Sequence, residues 1–281
     1  MEIKDINEQI ECIANCVNQY QATTKAKVVV YTSLTNNHDT LSTSSHFSRQ
    51  IDYICFTETK GATDTKGWKN FSIDFDYRDH RRLAKIFKVL PHRFLQGYEY
   101  SIYVDSNIDF KISVNELIIQ ARKTDNNIAF FKHNKRTCAY EEAIDCAKRG
   151  KERKEVIQKQ MEKYKTEGFP TNYGLIQGGV IIRSHMEPDV IKLMEKWWEE
   201  IDKNSVRDQL SLNYCSWQTK IPVHYIQDKI LQDFFELRSH KKYTIYEGSF
   251  EQNIRFLFSW LVYRISFIRV KLKKLLTDRK G

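Results

Sequence analysis

A succession of short apolar runs, separated by polar loops and by stretches with helical spacing, constrains this chain more than any other feature. Lys27-Val-Val-Val-Tyr-Thr-Ser-Leu34, Asp52-Tyr-Ile-Cys-Phe-Thr57, Tyr100-Ser-Ile-Tyr-Val104 and Ile128-Ala-Phe-Phe131 are rich in β-branched and aromatic residues and read as strands. Between them lie apolar residues three and four apart. Ile6, Ile10, Ile13 and Val17 mark a helix over residues 4–20, and Leu83, Ile86, Phe87 and Leu90 mark another over 79–95 that Pro91 stops. Residues 115–123 and 187–203 are helical by the same spacing, and 139–167 form one long charged helix or a broken pair. Gln19 to Lys27 reads as a linker. Gly174 to Arg183 reads as a turn running into a strand, and Val223–Ile226 and Tyr243–Tyr246 as short strands. Ser205 looks like the cap of a helix that begins there. Alternating strands and helices give an α/β class, and a buried strand feeding the polar loop Thr35–Ser45 is how nucleotide-binding α/β domains begin.

Composition matters mainly for what it excludes. At 281 residues and 41% hydrophobic, the chain can build one large domain or two small ones. Ten Gly and four Pro exclude a collagen-like or linker-rich chain, and charges of mixed sign argue against global disorder. Six cysteines without paired CxxC spacing offer neither a disulfide framework nor a metal pattern. The polar start Met-Glu-Ile-Lys-Asp lacks an apolar leader core, and no run of 18 apolar residues exists. The expectation is therefore a cytoplasmic protein with reduced thiols.

The net charge of +9 is concentrated at one end. From Phe250 to Gly281 there are eight Lys/Arg against Glu251 and Asp278 only. Aromatic and aliphatic residues alternate there with Arg255, Arg264, Arg269, Lys271, Lys273 and Lys274. Charges recur too often for a spanning helix, whereas a basic amphipathic helix suits the headgroup layer of an anionic membrane. The expected layout is an N-terminal helix and linker (1–26), a nucleotide-binding domain (27–249) and a basic amphipathic C-terminal helix (250–281) peripheral on the inner face of the cell membrane. The rest of the chain is only slightly basic, so a nucleic-acid partner is not expected.

Four segments carry candidate chemistry. Tyr103-Val-Asp-Ser-Asn-Ile-Asp109 ends a strand in Asp105-x-Asn107, two oxygen-bearing side chains that a hard divalent cation accepts and that ordinary turn chemistry also uses. Arg78, Arg81, Arg82, Lys85 and Lys88 crowd the preceding helix. Arg81, Lys85 and Lys88 share a face that suits either a diphosphate or solvent. Asp208 and Gln209 fall in the first turn after the Ser205 cap, where an Asp also favours the helix dipole. Gln177-Gly178-Gly179 permits close approach of backbone to a ligand, or a bulge. Walker, GxSxG and HExxH motifs are absent.

Taken in order, Tyr31-Thr-Ser, Asp52 to Thr57, Arg81 to Arg93, Tyr98 to Asp105, His133 to Glu142, Ile181-Ile-Arg-Ser-His185 and Arg207-Asp-Gln-Leu-Ser211 resemble one family. It is the glycosyltransferase-like family of plant mucilage and pectin synthesis proteins and their bacterial relatives, and the likeness covers roughly Val28 to Tyr214. Arg207 to Ser211 is also similar to the Asp-Gln element of retaining, glycogenin-like transferases. The resemblance implies a GT-A-like, Rossmann-type fold, a nucleotide-sugar donor and transfer to a glycan or lipid-linked acceptor in surface polysaccharide synthesis. It implies that Tyr31, Thr32, Phe56 and Thr57 frame the base, and that Arg82, Lys85 and Lys88 face the diphosphate or the donor sugar. Gln177, Gly178 and Gly179 would border the sugar, with Asp208 and Gln209 beside the anomeric carbon. Asp105 and Asn107 would hold Mn²⁺ or Mg²⁺, although Asn107 departs from the family's Asp-x-Asp. Plant members imply a UDP-linked donor and uronosyl or hexosyl transfer. A nucleotidyltransferase on a related sheet, or a non-catalytic basic membrane- or nucleic-acid-binding module, are the rival expectations.

Overall fold

A computed structural model of the chain describes residues 3–35, 46–59, 67–73, 79–122 and 127–238, with positions 41, 63, 64 and 77. The structure is mixed α/β around a seven-stranded sheet. In chain order the strands are β1 (Val28–Leu34), β2 (Ile51–Thr57), β3 (Lys69–Ser72), β4 (Tyr100–Val104), β6 (Ile128–Lys132), β7 (Ile176–Arg183) and β8 (His224–Ile226). Their order across the sheet is β3-β2-β1-β4-β7-β6-β8. β7 runs antiparallel to both neighbours, and the other ladders are parallel. The strands expected within the described residues are thus present, and β3 is an addition.

Both faces of the sheet are covered, which is why these strands read as continuous apolar runs rather than alternating ones. Val29, Tyr31, Ile54 and Phe56 belong to one core and Val30, Tyr53 and Cys55 to the other, a period of two within unbroken burial. The first core packs against α1 (Ile3–Thr24), α2 (His80–Val89), α4 (Ala139–Lys148), α5 (Lys154–Thr166), α6 (Pro188–Lys203) and α7 (Leu212–Thr219). The second packs against α3 (Asn115–Arg122) and α8 (Asp228–Phe234).

Several local expectations change. The first helix continues through Thr24 and ends at Lys25 in a left-handed conformation, φ 56°, so the linker shrinks to a few residues. Its Ile10, Ile13, Ala14 and Val17 lie in the first core, and Thr24 Oγ1 donates to Asp52 Oδ2 at 2.7 Å. The helix is part of the domain, not an appendage. Residues 139–167 are a broken pair, with the break at Gly150, φ 61°. A small antiparallel ladder, β5 (Ile108–Phe110) with β9 (Phe235–Leu237), was not expected from sequence. The expected strand Tyr243–Tyr246 and the basic helix 250–281 lie outside the described residues.

The topology fixes where a ligand belongs. From β1 the chain moves outward through β2 and β3, then returns through α2 to β4 on the other side of β1. In open α/β sheets such a reversal leaves a crevice at the strands' carboxyl ends. Asp105 follows the last residue of β4 directly.

Candidate active site

Four of the expected site residues meet at that crevice. Asp208 Oδ2 lies 2.8 Å from Lys85 Nζ and 2.7 Å from Lys88 Nζ, and Lys88 Nζ is 3.3 Å from Asp105 Oδ1. The Lys88 side chain is only 2% exposed and Asp208's 5%, whereas Asp105's is 36% exposed. Helical side chains lean toward the helix N-terminus, so a lysine in the last turn of α2 projects back toward the strands' carboxyl ends. The lysine's backbone is pinned: its carbonyl accepts from Arg183 Nη2 at 2.6 Å and from Tyr31 Oη at 3.2 Å. Arg183, fully buried in β7, thereby caps the negative end of α2. Two residues on, His185 Nε2 donates to the Leu95 carbonyl at 2.9 Å. The Ile181–His185 segment therefore anchors α2 and the loop after it.

The Asp208 turn is built differently from the expectation. Ser205 does not cap an α-helix: its Oγ accepts from Arg207 N at 3.1 Å, Asp208–Leu210 form a single 3₁₀ turn, and α7 starts at Leu212. Asp208 is therefore not a dipole-favoured residue of a helical first turn. Its carbonyl accepts from Trp197 Nε1 at 3.1 Å and Ser211 Oγ at 3.3 Å, which aims the carboxylate at the lysines. Burial alone would push the Asp208 carboxyl up; Lys85, then Lys88 and Arg207, outweigh it and hold it well below the usual carboxylate range. Desolvation pulls Lys85 down, while Asp105 and Asp208 overcome desolvation and raise Lys88. Gln209 Nε2 donates to the Ile176 carbonyl at 3.1 Å, which ties the same turn to β7.

Gly178 and Gly179 lie between the two carboxylates. A methyl on Gly178 would sit 3.4 Å from Asp208 Oδ2 and 3.5 Å from Lys88 Nζ, and one on Gly179 would sit 3.5 Å from Asp105 Oδ2. Here β7 also bulges: Phe130 pairs with Ile181, but the next residue, Phe131, pairs with Gln177. The glycines serve a bulge and a bare backbone floor at once. The Gln177 Oε1 atom is buried with no hydrogen-bond partner.

Other expected residues take different roles. Tyr31 and Phe56 are fully buried, packed edge-on against each other and against Phe94, so neither offers a ring to a base. Thr32 and Thr57 are also buried; Thr57 Oγ1 bonds Thr59, and Thr32 Oγ1 has no partner. With both sheet faces covered, side chains before the strand ends turn inward. Arg82 points away from the lysines, donating to Asp79 Oδ2 at 2.9 Å and to the Asn204 carbonyl at 2.6 Å. Asn107 is buried and donates through Nδ2 to the Arg238 carbonyl at 2.9 Å.

Arg238 is the residue that sequence reasoning missed. Its backbone N–H donates to the Asn107 carbonyl at 2.8 Å, its Nη2 donates to the Ser106 carbonyl at 2.8 Å, and its Nε pairs with Asp109 Oδ2 at 2.8 Å. It straps the whole loop that follows Asp105. The two residues lie more than a hundred positions apart, and no local signal links them. As a metal site the loop is therefore narrow. Asn107 and Asp109 are engaged by Arg238, no group of three or more His, Cys, Asp or Glu is placed for a metal among the described residues, and Asp105 alone presents a carboxylate outward. A hard cation there fits only if phosphate oxygens and water complete its shell.

The structure is thus a parallel-dominated α/β domain with one reversed strand and a lysine–carboxylate cluster at the crevice beside a glycine floor. The chain belongs to the TOD1/MUCI70 glycosyltransferase-like domain family, whose model matches residues 13–240. It is similar to the probable hexosyltransferase MUCI70 of Arabidopsis thaliana, 28% identical over 146 residues, which cover 49% of this chain and 25% of that protein. The chain thus spans a quarter of the length of that relative. Among solved structures it is similar to the apo form of the bifunctional glycosyltransferase WbbM, at TM-score 0.43 and 14% identity over 83% of this chain and 44% of that chain.

Proposed function

We propose that this chain transfers a hexosyl or uronosyl group from a nucleoside diphosphate sugar, with uridine as the base, to a hydroxyl of a glycan or lipid-linked acceptor. The observation that supports it is the convergence of Lys85 and Lys88 with Asp208 and Asp105 beside Gly178. A departing diphosphate develops negative charge, and preorganised cations in a site poor in water stabilise such charge most effectively. In the free protein the two carboxylates neutralise the lysines; with donor bound, phosphate oxygens take over part of that partnership. Asp208 and Gln209, across Gly178, would face the anomeric carbon. Mn²⁺ or Mg²⁺ enters this reading through Asp105, where it would neutralise diphosphate charge.

The test is calorimetry and thermal shift with UDP, GDP and ADP, with and without Mn²⁺, followed by analysis of products. UDP is expected to stabilise the protein by mass action, and turnover of a UDP-sugar is expected to release UDP. Consumption of a nucleoside triphosphate with release of pyrophosphate would instead make it a nucleotidyltransferase. The absence of any nucleoside diphosphate binding would refute the reading. We place the enzyme peripherally on the inner face of the cell membrane, in surface polysaccharide synthesis, on the strength of the basic aromatic sequence 250–281. Co-sedimentation decides that point. The full chain should pellet with anionic vesicles at low salt, and a version ending at Gln252 should stay in solution.

A further inference from the structure

On the loop that leads into β7, one aromatic side chain is held out to solvent. Tyr173 is 42% exposed, and its hydroxyl has no hydrogen-bond partner among the described residues. The backbone on both sides of it is pinned. Asn172 and Gly174 both have positive φ, 57° and 107°. Thr137 Oγ1 donates to Asn172 Oδ1 at 3.2 Å, and Gly174 N donates to the Thr137 carbonyl at 3.0 Å. A methyl on Gly174 would lie 2.5 Å from Tyr225 Oη, so the close approach requires glycine. Positive φ is uncommon outside glycine, and here it serves to present a ring.

That ring is supported from below. Gly168, φ 83°, ends α5 and sends Phe169 into the first core, where it is 4% exposed. Tyr173, Trp217 and Tyr140 surround Phe169, with ring centroids 5.6, 5.7 and 6.0 Å from its own. Trp217 and Tyr140 are half-buried. An ammonium lies over each of them, Lys220 Nζ at 5.0 Å from the Trp217 centroid and Lys165 Nζ at 5.7 Å from that of Tyr140. Tyr173 has no such cover among the described residues. An open ring with polar groups at its margin complements a pyranose, whose C–H face is apolar and whose hydroxyls radiate from its edge. Aromatic side chains supply such contact area at a small cost in conformational entropy.

The loop continues into the floor of the crevice. Asp105 N donates to the Gly179 carbonyl at 2.8 Å, and β7 runs antiparallel to β4, so the start of β7 projects past the carboxyl end of β4. Tyr173 precedes Gly178 by five residues, at most about 18 Å of extended chain. The ring is therefore placed for a part of a saccharide other than the part over Gly178.

We propose that Tyr173, backed by Phe169, Trp217 and Tyr140, forms a distal saccharide subsite, on which a pyranose ring of an extended acceptor stacks while the reacting end of the acceptor lies in the crevice. That the saccharide is there to accept a sugar rests on the glycosyl transfer proposed above; its binding does not. Recognition here is by stacking and not by charge, so neutral chains qualify and salt does not screen it.

The test is calorimetry on the full chain with neutral hexasaccharides of xylose, mannose, galactose and glucose, and with the corresponding monosaccharides, at low and high salt. UDP is titrated in parallel. Wild type should bind at least one hexasaccharide, more tightly than its monosaccharide and equally at both salt concentrations. Tyr173→Ala should weaken that binding about three- to tenfold, the size of one aromatic contact. Tyr173→Leu, which keeps apolar area without a ring, should behave like Tyr173→Ala, and Tyr173→Phe should behave like wild type. The exposed control Ile144→Ala should also match wild type. Because the Tyr173 side chain is largely at the surface, Tyr173→Ala should keep the wild-type Tm and UDP affinity, which separates lost recognition from lost folding. No hexasaccharide binding by wild type, or equal binding by wild type and Tyr173→Ala, overturns the subsite. If a hexasaccharide binds through Tyr173 while no nucleoside diphosphate binds, the subsite stands and the glycosyl-transfer reading falls. If a UDP-sugar is turned over while Tyr173→Ala binds saccharide as wild type does, the reverse holds.

Discussion

Replacing Asp208 by Asn removes the charge that holds Lys85 and Lys88 together while keeping the shape of the side chain. At 2.8 Å and 2.7 Å, each pair has a gross Coulomb energy of about 6 kcal/mol at an effective dielectric near 20, most of it offset by desolvation. Removing one partner of a buried pair costs about 3–5 kcal/mol. A second route sets a ceiling of similar size. Deprotonating an orphaned lysine of ordinary pKa at pH 7 costs about 4.6 kcal/mol, at 1.36 kcal/mol per pH unit. Lys88 keeps Asp105, so Lys85, already pulled down by burial, is the orphan. The sign follows. An Asp208→Asn protein carries a lysine whose folded pKa is depressed below its unfolded value, so its stability increases as pH rises through that folded pKa. Urea unfolding at pH 7 should show a loss of about 3–5 kcal/mol relative to wild type, of which about 1–3 kcal/mol returns at pH 9. UDP affinity should not fall, since Lys85 is left without the carboxylate that a phosphate would displace, while sugar transfer drops about a hundredfold or more. A helix-dipole role would be worth about 0.3–1 kcal/mol and would not create this alkaline recovery. A loss below about 1 kcal/mol, equal at both pH values, would refute the buried-triad argument.

Gly178→Ala should fold with near-native stability, since its methyl meets only ordinary contacts at 3.4 Å and 3.5 Å, yet transfer should fall about tenfold or more because the methyl occupies the floor of the site. Gly179→Ala, 3.0 Å from Ile108 Cδ1, should cost about 1–3 kcal/mol in urea melts. His185 is buried and neutral, its pKa lowered to about 4 mainly by desolvation. Stability should thus be full above pH 6.5 and decline as pH falls toward 4, by up to about 3 kcal/mol, and His185→Gln should flatten that limb of the pH profile. Arg238→Met should raise the KM for the donor while Arg238→Lys recovers part of it, if the strap over residues 105–109 orders the loop around Asp105.

Much of the site was legible because its chemistry is carried by local patterns. A strand ending in Asp105, lysines on one helical face and a Gly-Gly before a strand each leave a mark within ten residues. Asp208 and Gln209 were legible as a motif but not as a geometry, since the propensity of Ser205 to cap a helix competes with an ST turn that propensity alone does not separate. Tyr31 and Phe56 were misplaced for a related reason: an apolar run covered on both faces carries no record of which side chain reaches solvent.

From the amino-acid sequence alone, this chain's α/β class and most of its strand and helix order follow from periodicity, and its candidate acidic and basic residues are marked by residue chemistry at short range. The partnerships were decided only in three dimensions. Lys88 with both Asp105 and Asp208, Arg183 under the end of α2, and Arg238 over the loop after β4 all join segments far apart in the chain. The physical reason is that the charge state and accessibility of a group depend on what desolvates and neutralises it, and those neighbours are delivered by sheet order and crossover rather than by adjacency in sequence.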